Sequence, residues 1–427
     1  MAEASQSETG FEVDGLSPSR VERPASADEL SQAIADANSA GEAVIPWGGG
    51  TRMSLGNTPE RYDVAVDLTG ISGIVEYEPA DLTVVVSGGT RIAELQAVLG
   101  ESGQRLDFDP PEPAAATIGG SLASNAVGPV RSNVGGVRDL AIGLEVVEAD
   151  GAVTKSGGRV VKNVQGFDLV RLHIGALGTL GIITEVAFKV SPIPADTQTV
   201  AGWFDGLDAA RETAMRIFNW SFQPEALAVL VGARALAVVQ TLAGPGDGES
   251  EAVVILARVS GGFSAVRRQV DELTSLFGAD MADGFDVLGG QDAEAAWAGS
   301  LPDAQTPPAL SARATLKPTD AFAYASRLTG ASDAVGAFGA TIHVGTGTVL
   351  ADWPGGEAEE VAKTAAAAAM AAREFRCEAV FERYPSELKS EIDVWGNPGP
   401  AIDIMRRMKE QFDPKRTLNP GRFVGRI

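Results

Sequence analysis

The sequence is poor in the residues that build disulfides, metal clusters and histidine-based active sites. Its 427 residues include one cysteine, Cys377, and two histidines, His173 and His343. A single thiol cannot form a disulfide within the chain, and it cannot supply a four-cysteine zinc site or an iron–sulfur cluster. Few candidates therefore remain for metal chemistry or for acid–base catalysis by histidine.

Several well-known sequence motifs are also missing. No G-x-G-x-x-G opens a predicted helix, and there is no G-x-x-x-x-G-K-[ST], H-E-x-x-H or G-x-S-x-G. These absences argue against an ordinary dinucleotide-binding dehydrogenase, a P-loop NTPase, a zinc peptidase of that type and a serine hydrolase.

Positive charge is scarce as well. The chain has 34 Lys and Arg against 57 Asp and Glu, a formal net charge of −23. An acidic surface repels nucleic acid and anionic lipid, so neither is expected as a partner. The first ten residues lack a basic or apolar stretch, and no apolar run approaches the ~20 residues of a membrane helix. We expect a soluble, cytoplasmic protein.

The length and the hydrophobic content of 44% favour two packed domains. A capping pair, Ser26 and Glu29, predicts a helix that ends at Gly41. "AVIPW" predicts a buried strand, and Asp150-Gly151 predicts a hairpin turn. The stretch from Pro111 to Gly136 is rich in small residues, which is typical of a linker or of a loop packed against a ligand.

The second half alternates between predicted strands and helices, which indicates an α+β layer of sheet covered by helices. The segments "EALAVLVG", "ALAVVQTL" and "EAVVILARVS" are predicted as strands. "FSAVRRQVDELTSLFG" has apolar residues at helical spacing and is predicted as a helix.

Three glycine-dense loops occur in the first half: "PWGGGTR", "ATIGGSLASN" and "GALGTLG". A single loop of this kind is more often a plain turn, because glycine adopts positive φ without steric cost. Together they favour a long phosphate-containing ligand, since bare backbone can present successive N–H groups to an anion.

This arrangement resembles the vanillyl-alcohol oxidase / p-cresol methylhydroxylase family of FAD proteins over nearly the whole chain. The resemblance is carried by "PWGGGTR", "PPEPAAATIGGSLASNAVGP", "VKNVQGFDLVRLHIGALGTLGIITE" and "FDPKRTLNPGRF". Within the family it is greatest to FAD-binding subunits of bacterial glycolate oxidases, and D-lactate dehydrogenases come next. It implies an α+β fold: a two-part FAD-binding domain with an α+β, ferredoxin-like cap domain.

The resemblance also implies the residues that bind FAD. The pyrophosphate would lie against the first loop, the second loop would wrap the flavin, and the third segment would meet the adenosine end. Lys162, with Asn163 beside it, and Arg422 could equally be ordinary loop residues. The implied set is Trp47, Gly48, Gly49, Gly50, Thr51, Pro111, Thr117, Gly119, Gly120, Ser121, Asn125, Lys162, Gly181, Ile182, Ile183, Asn419 and Arg422.

The sequence departs from the family pattern at three places. Thr51 stands where covalent members often have a histidine, so we expect non-covalent FAD. "HVGTGTVL" from His343 lacks the acidic residue and second histidine of a motif similar to H-x-G-D-G-N-x-H, so no metal site is expected. Leu177 replaces a glutamate of the third loop.

Two residues of the predicted cap are candidates for catalysis. Arg313, in "SARATLKP", could hold a substrate carboxylate with two parallel hydrogen bonds, or be a surface charge. His343 could act as a base or bind substrate, or pack in the core. His173 is expected to be structural.

These observations predict an FAD-binding domain at 16–195, a cap at 196–395 and a C-terminal return at 396–427. The expected function is oxidation of a small 2-hydroxy acid of the glycolate or lactate type. Its electrons would pass to oxygen, a quinone or a partner subunit with iron–sulfur clusters. The alternatives are a non-catalytic or electron-relaying FAD subunit of a glycolate-oxidase-like complex, and a binding or scaffold domain without redox chemistry.

Overall fold

The computed structural model describes residues 10–126, 128–130, 135–158, 168–241, 252–279, 284–302, 305–330 and 338–427. The chain divides into two compact units. Unit 1 comprises the described parts of Met1–Gly128, Gly135–Ile193 and Lys389–Ile427. Unit 2 comprises the described parts of Pro129–Val134 and Pro194–Leu388.

Unit 1 is a mixture of short strands and helices. Its strands are β1 (Arg20–Glu22), β2 (Val44–Trp47), β3 (Val64–Asp67), β4 (Ile74–Glu78), β5 (Thr83–Ser87), β6 (Gln104–Arg105), β7 (Ala141–Val147), β8 (Val153–Gly157), β9 (Ile182–Lys189) and β10 (Ser191–Pro192). Its helices are α1 (Ala27–Ala40), α2 (Ile92–Glu101), α3 (Ile118–Ala123), α4 (Val137–Leu140), α5 (Leu169–His173) and, near the C-terminus, α12 (Ile402–Phe412).

Two sheets give unit 1 its frame. Strands β1, β3 and β2 form a parallel sheet in the order β1-β3-β2, and β4-β5-β9-β7-β8 form an antiparallel sheet. Strand β2 runs directly into the first glycine loop, and β9 begins directly after the third. The sheets therefore hold both loops at strand ends.

Local signals explain several of these elements. Helix α1 begins after Ser26, whose hydroxyl accepts a hydrogen bond from the N–H of Glu29 at 3.2 Å, and it ends at Gly41 in the left-handed region. The hairpin β7–β8 turns at Gly151, which has φ +89°. Both predictions are confirmed. The Pro111–Gly136 stretch is no linker where it is described, because Ile118 and Leu122 are fully buried.

Unit 2 is built on one antiparallel sheet. Its strands are β11 (Asp196–Asp205), β12 (Ala226–Gly232), β13 (Ala252–Gly261), β14 (Gly284–Leu288), β15 (Leu310–Thr315), β16 (Gly339–His343), β17 (Thr348–Trp353) and β18 (Val380–Arg383). Its helices are α6 (Leu207–Phe218), α7 (Ala233–Thr241), α8 (Phe263–Ala279), α9 (Gly290–Gly299), α10 (Pro318–Thr329) and α11 (Ala358–Glu374).

The strand order of this sheet is β14-β11-β13-β12-β16-β17-β15-β18. The first four strands, with α6 and α8 between them, have the order 4-1-3-2 of a ferredoxin-like unit. The last four, with α10 and α11, repeat that order in reverse. Strands β12 and β16 join the two halves side by side. The α+β class and the ferredoxin-like expectation are confirmed, and the unit contains that motif twice.

One strand prediction is wrong. "ALAVVQTL" lies mostly in helix α7. Arg234, Ala235 and Val238 are its buried residues, a spacing of three to four that fits a helix better than a strand. Sequence reasoning also assigned no element to β14 or α9. No helix in the described ranges is long and apolar enough to cross a membrane.

Candidate functional site

A cavity in unit 1 brings the three glycine loops together with the C-terminal segment. It contains about 680 Å³ of space that no protein atom fills, open solvent included. We call it the loop cavity. It is lined by Pro46, Gly48, Gly49, Gly50, Thr51, Arg52, Met53, Leu68, Thr117, Gly119, Gly120, Ala123, Ser124, Leu177, Gly178, Gly181, Ile182, Ile183, Asn419 and Arg422.

The first loop offers unused hydrogen-bond donors to this cavity. The backbone N–H groups of Gly49, Gly50 and Thr51 donate to no acceptor among the described residues. Gly50 has φ +73°, a value that glycine adopts freely and that turns successive N–H groups toward one side. A left-handed conformation of this kind is one of the two that make up an anion-binding nest.

The second loop packs so closely against the first that side chains do not fit at two of its positions. A Cβ on Gly48 would lie 2.1 Å from the Thr117 hydroxyl, and one on Gly49 would lie 1.8 Å from the carbonyl oxygen of Ala115. The glycines are therefore required by the close packing of two loops as well as by any ligand. The Thr117 hydroxyl caps α3 by accepting from the N–H of Gly120 at 3.3 Å.

The third loop carries a strained residue. Leu177 has φ +52°, a conformation that costs a non-glycine residue roughly 1–2 kcal/mol. Its N–H donates to the carbonyl of Ala123 at 2.8 Å, and its carbonyl accepts from the Asn419 amide at 2.5 Å. Leu177 thereby ties the second loop and the C-terminal segment to one wall of the cavity.

Arg422 is the most unusual side chain of the site. It is 1% exposed, and its Nη2 donates to the carbonyls of Met53 and Leu55 at 2.7 and 2.6 Å. Its Nε is buried without a hydrogen-bond partner in the described part of the chain. Burial lowers the pKa of Arg422 to about 10, although the electrostatic interactions with Asp14 and Tyr62 raise it in part. A buried cation without a full set of partners favours an anionic ligand.

The charge of the lining agrees with this. Arg52 and Arg422 are its charged residues, and Asp and Glu do not occur among the lining residues. The whole chain has a net charge of −23, so this local excess of positive charge is opposite in sign to the protein. Bare N–H groups, two guanidinium groups and an apolar wall at Ile182 and Ile183 fit a dinucleotide with a pyrophosphate, such as FAD.

Most of the residues expected to bind FAD meet in this cavity. They are Gly48, Gly49, Gly50, Thr51, Thr117, Gly119, Gly120, Gly181, Ile182, Ile183, Asn419 and Arg422. The structure does not bring Trp47, Pro111, Ser121 or Asn125 to its lining. The Trp47 indole packs in the core behind the first loop and donates to the Tyr62 hydroxyl at 2.7 Å. Lys162 lies outside the described residues.

Sequence reasoning missed several lining residues. Arg52 ends the first loop and Met53 follows it, while Leu177 and Gly178 lie within the third, so taking every residue of each motif and its next neighbour would have included them. Leu68 directly follows β3, and no sequence signal connected it to the site.

The two catalytic candidates lie in unit 2. Arg313 is on β15, and its Nε donates to Glu382 Oε1 at 2.7 Å; both side chains are largely buried. A substrate carboxylate would therefore share this guanidinium with Glu382. His343 ends β16 and is 4% exposed. No cluster of three or more potential metal ligands occurs in the ranges that the structure describes.

His173 closes α5 in unit 1 and is 4% exposed. It meets the ring of Phe412 edge-on, with the two ring centroids 6.2 Å apart. Burial lowers its pKa to about 4, so it is neutral at physiological pH. A Cβ on Gly181 would lie 3.2 Å from this imidazole, which makes His173 a packing partner of the third loop.

Comparison with known proteins gives two family matches. The family described as FAD binding domain matches residues 18–157, and that described as FAD linked oxidases, C-terminal domain, matches residues 397–423. The first match contains the first two glycine loops, and the second contains Asn419 and Arg422.

Individual proteins give the same picture. The glycolate oxidase subunit GlcD of Bacillus subtilis is 30% identical over 96% of this chain and 89% of that protein. Subunit GlcE of Escherichia coli is 33% identical over 46% of this chain and 54% of its own length. The mitochondrial cytochrome-type D-lactate dehydrogenase of Arabidopsis thaliana is 31% identical over 46% of this chain and 35% of its own.

A solved structure of alkyldihydroxyacetonephosphate synthase is similar in fold. It superimposes with a TM-score of 0.72 over 94% of this chain and 75% of that one, at 17% sequence identity. This likeness concerns the fold alone.

Proposed function

Because this chain belongs to the FAD-linked oxidase family, we propose that it oxidises a small 2-hydroxy acid of the glycolate or lactate type. It is an FAD-dependent oxidoreductase of the 2-hydroxy acid group, and FAD is its cofactor. The observation that supports our placement of FAD is the loop cavity. It is lined by backbone N–H groups that donate to no described acceptor and by Arg422, whose Nε has no described partner, in a protein that is acidic as a whole.

The residues of the loop cavity would hold FAD in three ways. The N–H groups of Gly49–Thr51 would bind the pyrophosphate, and Arg422 would supply a positive charge. Ile182 and Ile183 would form an apolar wall. Bound FAD supplies the two-electron acceptor that removes hydride from a carbon bearing a hydroxyl group.

We assign the described parts of unit 1, which include those of 16–128, 135–193 and 389–427, to FAD binding, and the described parts of unit 2 to a substrate-binding cap. In the cap, Arg313 would hold the substrate carboxylate and His343 would accept or orient the hydroxyl proton. The acceptor of the electrons would be oxygen, a quinone or a partner subunit, because one cysteine cannot ligate an iron–sulfur cluster.

A second candidate function is an electron-relaying FAD subunit of a glycolate-oxidase-like complex. It is favoured by the likeness to two proteins named as glycolate oxidase subunits. It is also favoured by the ion pair between Arg313 and Glu382, because this pair leaves fewer N–H groups of the guanidinium for a substrate carboxylate.

The test is anaerobic reduction of the purified chain by glycolate and by D- and L-lactate. Loss of the flavin absorbance bands with the chain alone supports oxidation of a 2-hydroxy acid. A flavin that stays oxidised with each acid, but bleaches with dithionite, favours the relay function. A purified protein that binds no added FAD contradicts both.

We further propose that FAD is bound without a covalent link, because Thr51 follows the glycine run. Acid precipitation should leave all of the yellow colour in the supernatant. Flavin retained in the washed pellet would contradict this proposal.

A further inference from the structure

The turn Arg52–Leu55 follows the first glycine loop directly, and buried cations hold its last three carbonyls. Arg422 donates to the carbonyls of Met53 and Leu55. Lys389 Nζ donates to the carbonyl between them, that of Ser54, at 2.8 Å. Lys389 is fully buried and does not line the loop cavity.

We propose that Lys389 is a positioning residue for the anion-binding loop Gly49–Thr51 and acts through the Ser54 carbonyl. The proposal rests on the proposed function, in which that loop binds the pyrophosphate of FAD. Lys389 itself would touch neither cofactor nor substrate.

Peptide geometry explains how the effect would reach the loop. The carbonyl of one residue and the N–H of the next point in opposite directions across a planar trans peptide. The Ser54 carbonyl points to Lys389, and the N–H of Leu55 points the other way and donates to the Arg52 carbonyl at 3.1 Å. The turn is thus held from both sides, and Thr51 enters it directly.

A second anchor fixes the ammonium. Asp14 accepts from Lys389 Nζ at 2.8 and 2.9 Å, and its side chain is 8% exposed. These contacts and the Ser54 carbonyl match the three N–H donors of an ammonium group. Asp14 has φ +49°, so the turn that presents it is itself constrained. Three segments far apart in sequence therefore meet at one nitrogen.

If the Lys389–Asp14 ion pair were purely structural, its removal would lower the stability of the protein without changing its affinity for FAD. Unit 2 supplies such a pair as a control, because Arg234 is buried and ion-paired with Asp352, whose side chain is 14% exposed. Variant Asp14→Asn alone removes the carboxylate but leaves Lys389 next to Ser54. The double variant Asp14→Asn/Lys389→Met removes both charges and the contact with Ser54.

The experiment measures hydrogen exchange of residues 49–55 in the FAD-free protein and the Kd for added FAD, both well below the unfolding temperature. The double variant should exchange faster at 49–55 and bind FAD about tenfold more weakly, as expected for loss of a charge-assisted hydrogen bond. Asp14→Asn should stay within about threefold of wild type in Kd. The control Asp352→Asn/Arg234→Met should unfold at a lower temperature with an unchanged Kd.

The proposal is wrong if the double variant exchanges its 49–55 amide hydrogens as slowly as wild type and binds FAD with the wild-type Kd. It is also wrong if Asp14→Asn shows an equal loss of affinity, because the ion pair and not the Ser54 contact would then matter. If wild type binds no FAD, the proposed function fails, while the exchange rates still report on the positioning. If the double variant does not fold, Asp14→Asn/Lys389→Leu, which also lacks a hydrogen-bond donor at residue 389, replaces it with the same expectations.

Discussion

Units 1 and 2 both bury positive charge, but they use it for different purposes. In unit 1, Lys389, Lys409 and Arg422 donate to backbone carbonyls in or near the glycine loops, those of Ser54, Thr179 and Met53. The two lysines are also ion-paired, Lys389 with Asp14 and Lys409 with Asp413. In unit 2, Arg234 donates to the Ser300 carbonyl and, at 2.9 Å, to the Asp352 carboxylate, and it thereby links helix α7 of one ferredoxin-like half to β17 of the other.

The difference shows how a site can be built without reactive side chains. Cations that bind the carbonyl side of a loop leave its N–H side to a ligand, so unit 1 can offer backbone donors to an anion in addition to the charge of Arg422. The contacts of Arg234 in unit 2 instead fix helix α7 against strand β17, away from any glycine loop. The predictions below test that contrast.

The largest expected effect follows from adding one carbon to the first loop. In Gly49→Ala the new Cβ would lie 1.8 Å from the carbonyl oxygen of Ala115, so the loop must move. We expect purified Gly49→Ala to contain no bound flavin, as judged by absorbance near 450 nm, an approximate position of the flavin band.

Gly100→Ala is the matched control for this change. Gly100 lies in α2, and a Cβ there meets no atom within 4 Å. Its flavin content should equal that of wild type. Full flavin in Gly49→Ala would show that the loop tolerates a side chain and that its bare backbone is not the binding element.

The second prediction addresses the ion pair of unit 2. Asp352→Asn leaves the Arg234 guanidinium buried without a carboxylate, a change that typically costs about 3–5 kcal/mol. Burial raises the pKa of Asp352 and the Arg234 charge opposes that rise, so part of the cost is already present in wild type. Denaturant unfolding should show the loss.

The flavin content of Asp352→Asn at low denaturant should remain that of wild type, because no residue of this pair lines the loop cavity. A variant that loses FAD at temperatures where it is still folded would remove the contrast between the units.

The sequence predicted unit 1 better than unit 2 because its signals are local. Glycine runs, the Ser26 cap and the Asp150-Gly151 turn each act within a few residues, and each is found where expected. The contributions of Lys389 and Leu68 could not be predicted, because they depend on chain segments that approach only in the folded state.

The doubled motif of unit 2 was not visible in the sequence. A ferredoxin-like half is defined by strand order, and its two copies here share no sequence period that we could detect. The apolar run "ALAVVQTL" was read as a strand, because a short buried helix and a buried strand look alike at that length. The helix is revealed by its buried residues Ala235 and Val238, which are three residues apart and so lie on one face of a helix but on opposite faces of a strand.

The third prediction tests the proposed substrate contact. Arg313→Met should slow flavin reduction by a 2-hydroxy acid roughly tenfold to a hundredfold, since a charge-assisted contact contributes on the order of 1.5–3 kcal/mol. FAD content should not change. Arg313→Lys should recover only part of the rate, because an ammonium cannot form two parallel bonds to a carboxylate.

Glu382→Gln separates this role from a structural one. It keeps Arg313 but removes the competing carboxylate 2.7 Å from its Nε. A carboxylate-binding Arg313 should then hold substrate at least as well, with an equal or lower KM. If Glu382→Gln slows reduction as much as Arg313→Met, the ion pair serves to hold β15 and β18 together and the substrate is bound elsewhere.

The smallest expected effect concerns the two histidines, of which each unit buries one to 4% exposure. The folded-state pKa of His173 is about 4, below its ordinary 6.5, so between these values the unfolded chain binds more protons than the folded one. Stability is therefore full above about pH 6.5 and falls as the pH drops toward 4, by about 2 kcal/mol at pH 5.

In His173→Leu this part of the pH dependence should vanish from the urea transition that releases FAD, measured at pH 5 and pH 7. His343→Leu, in the other unit, should keep the wild-type pH dependence of that transition. An unchanged dependence in His173→Leu would mean that carboxylates alone govern the acid stability of unit 1.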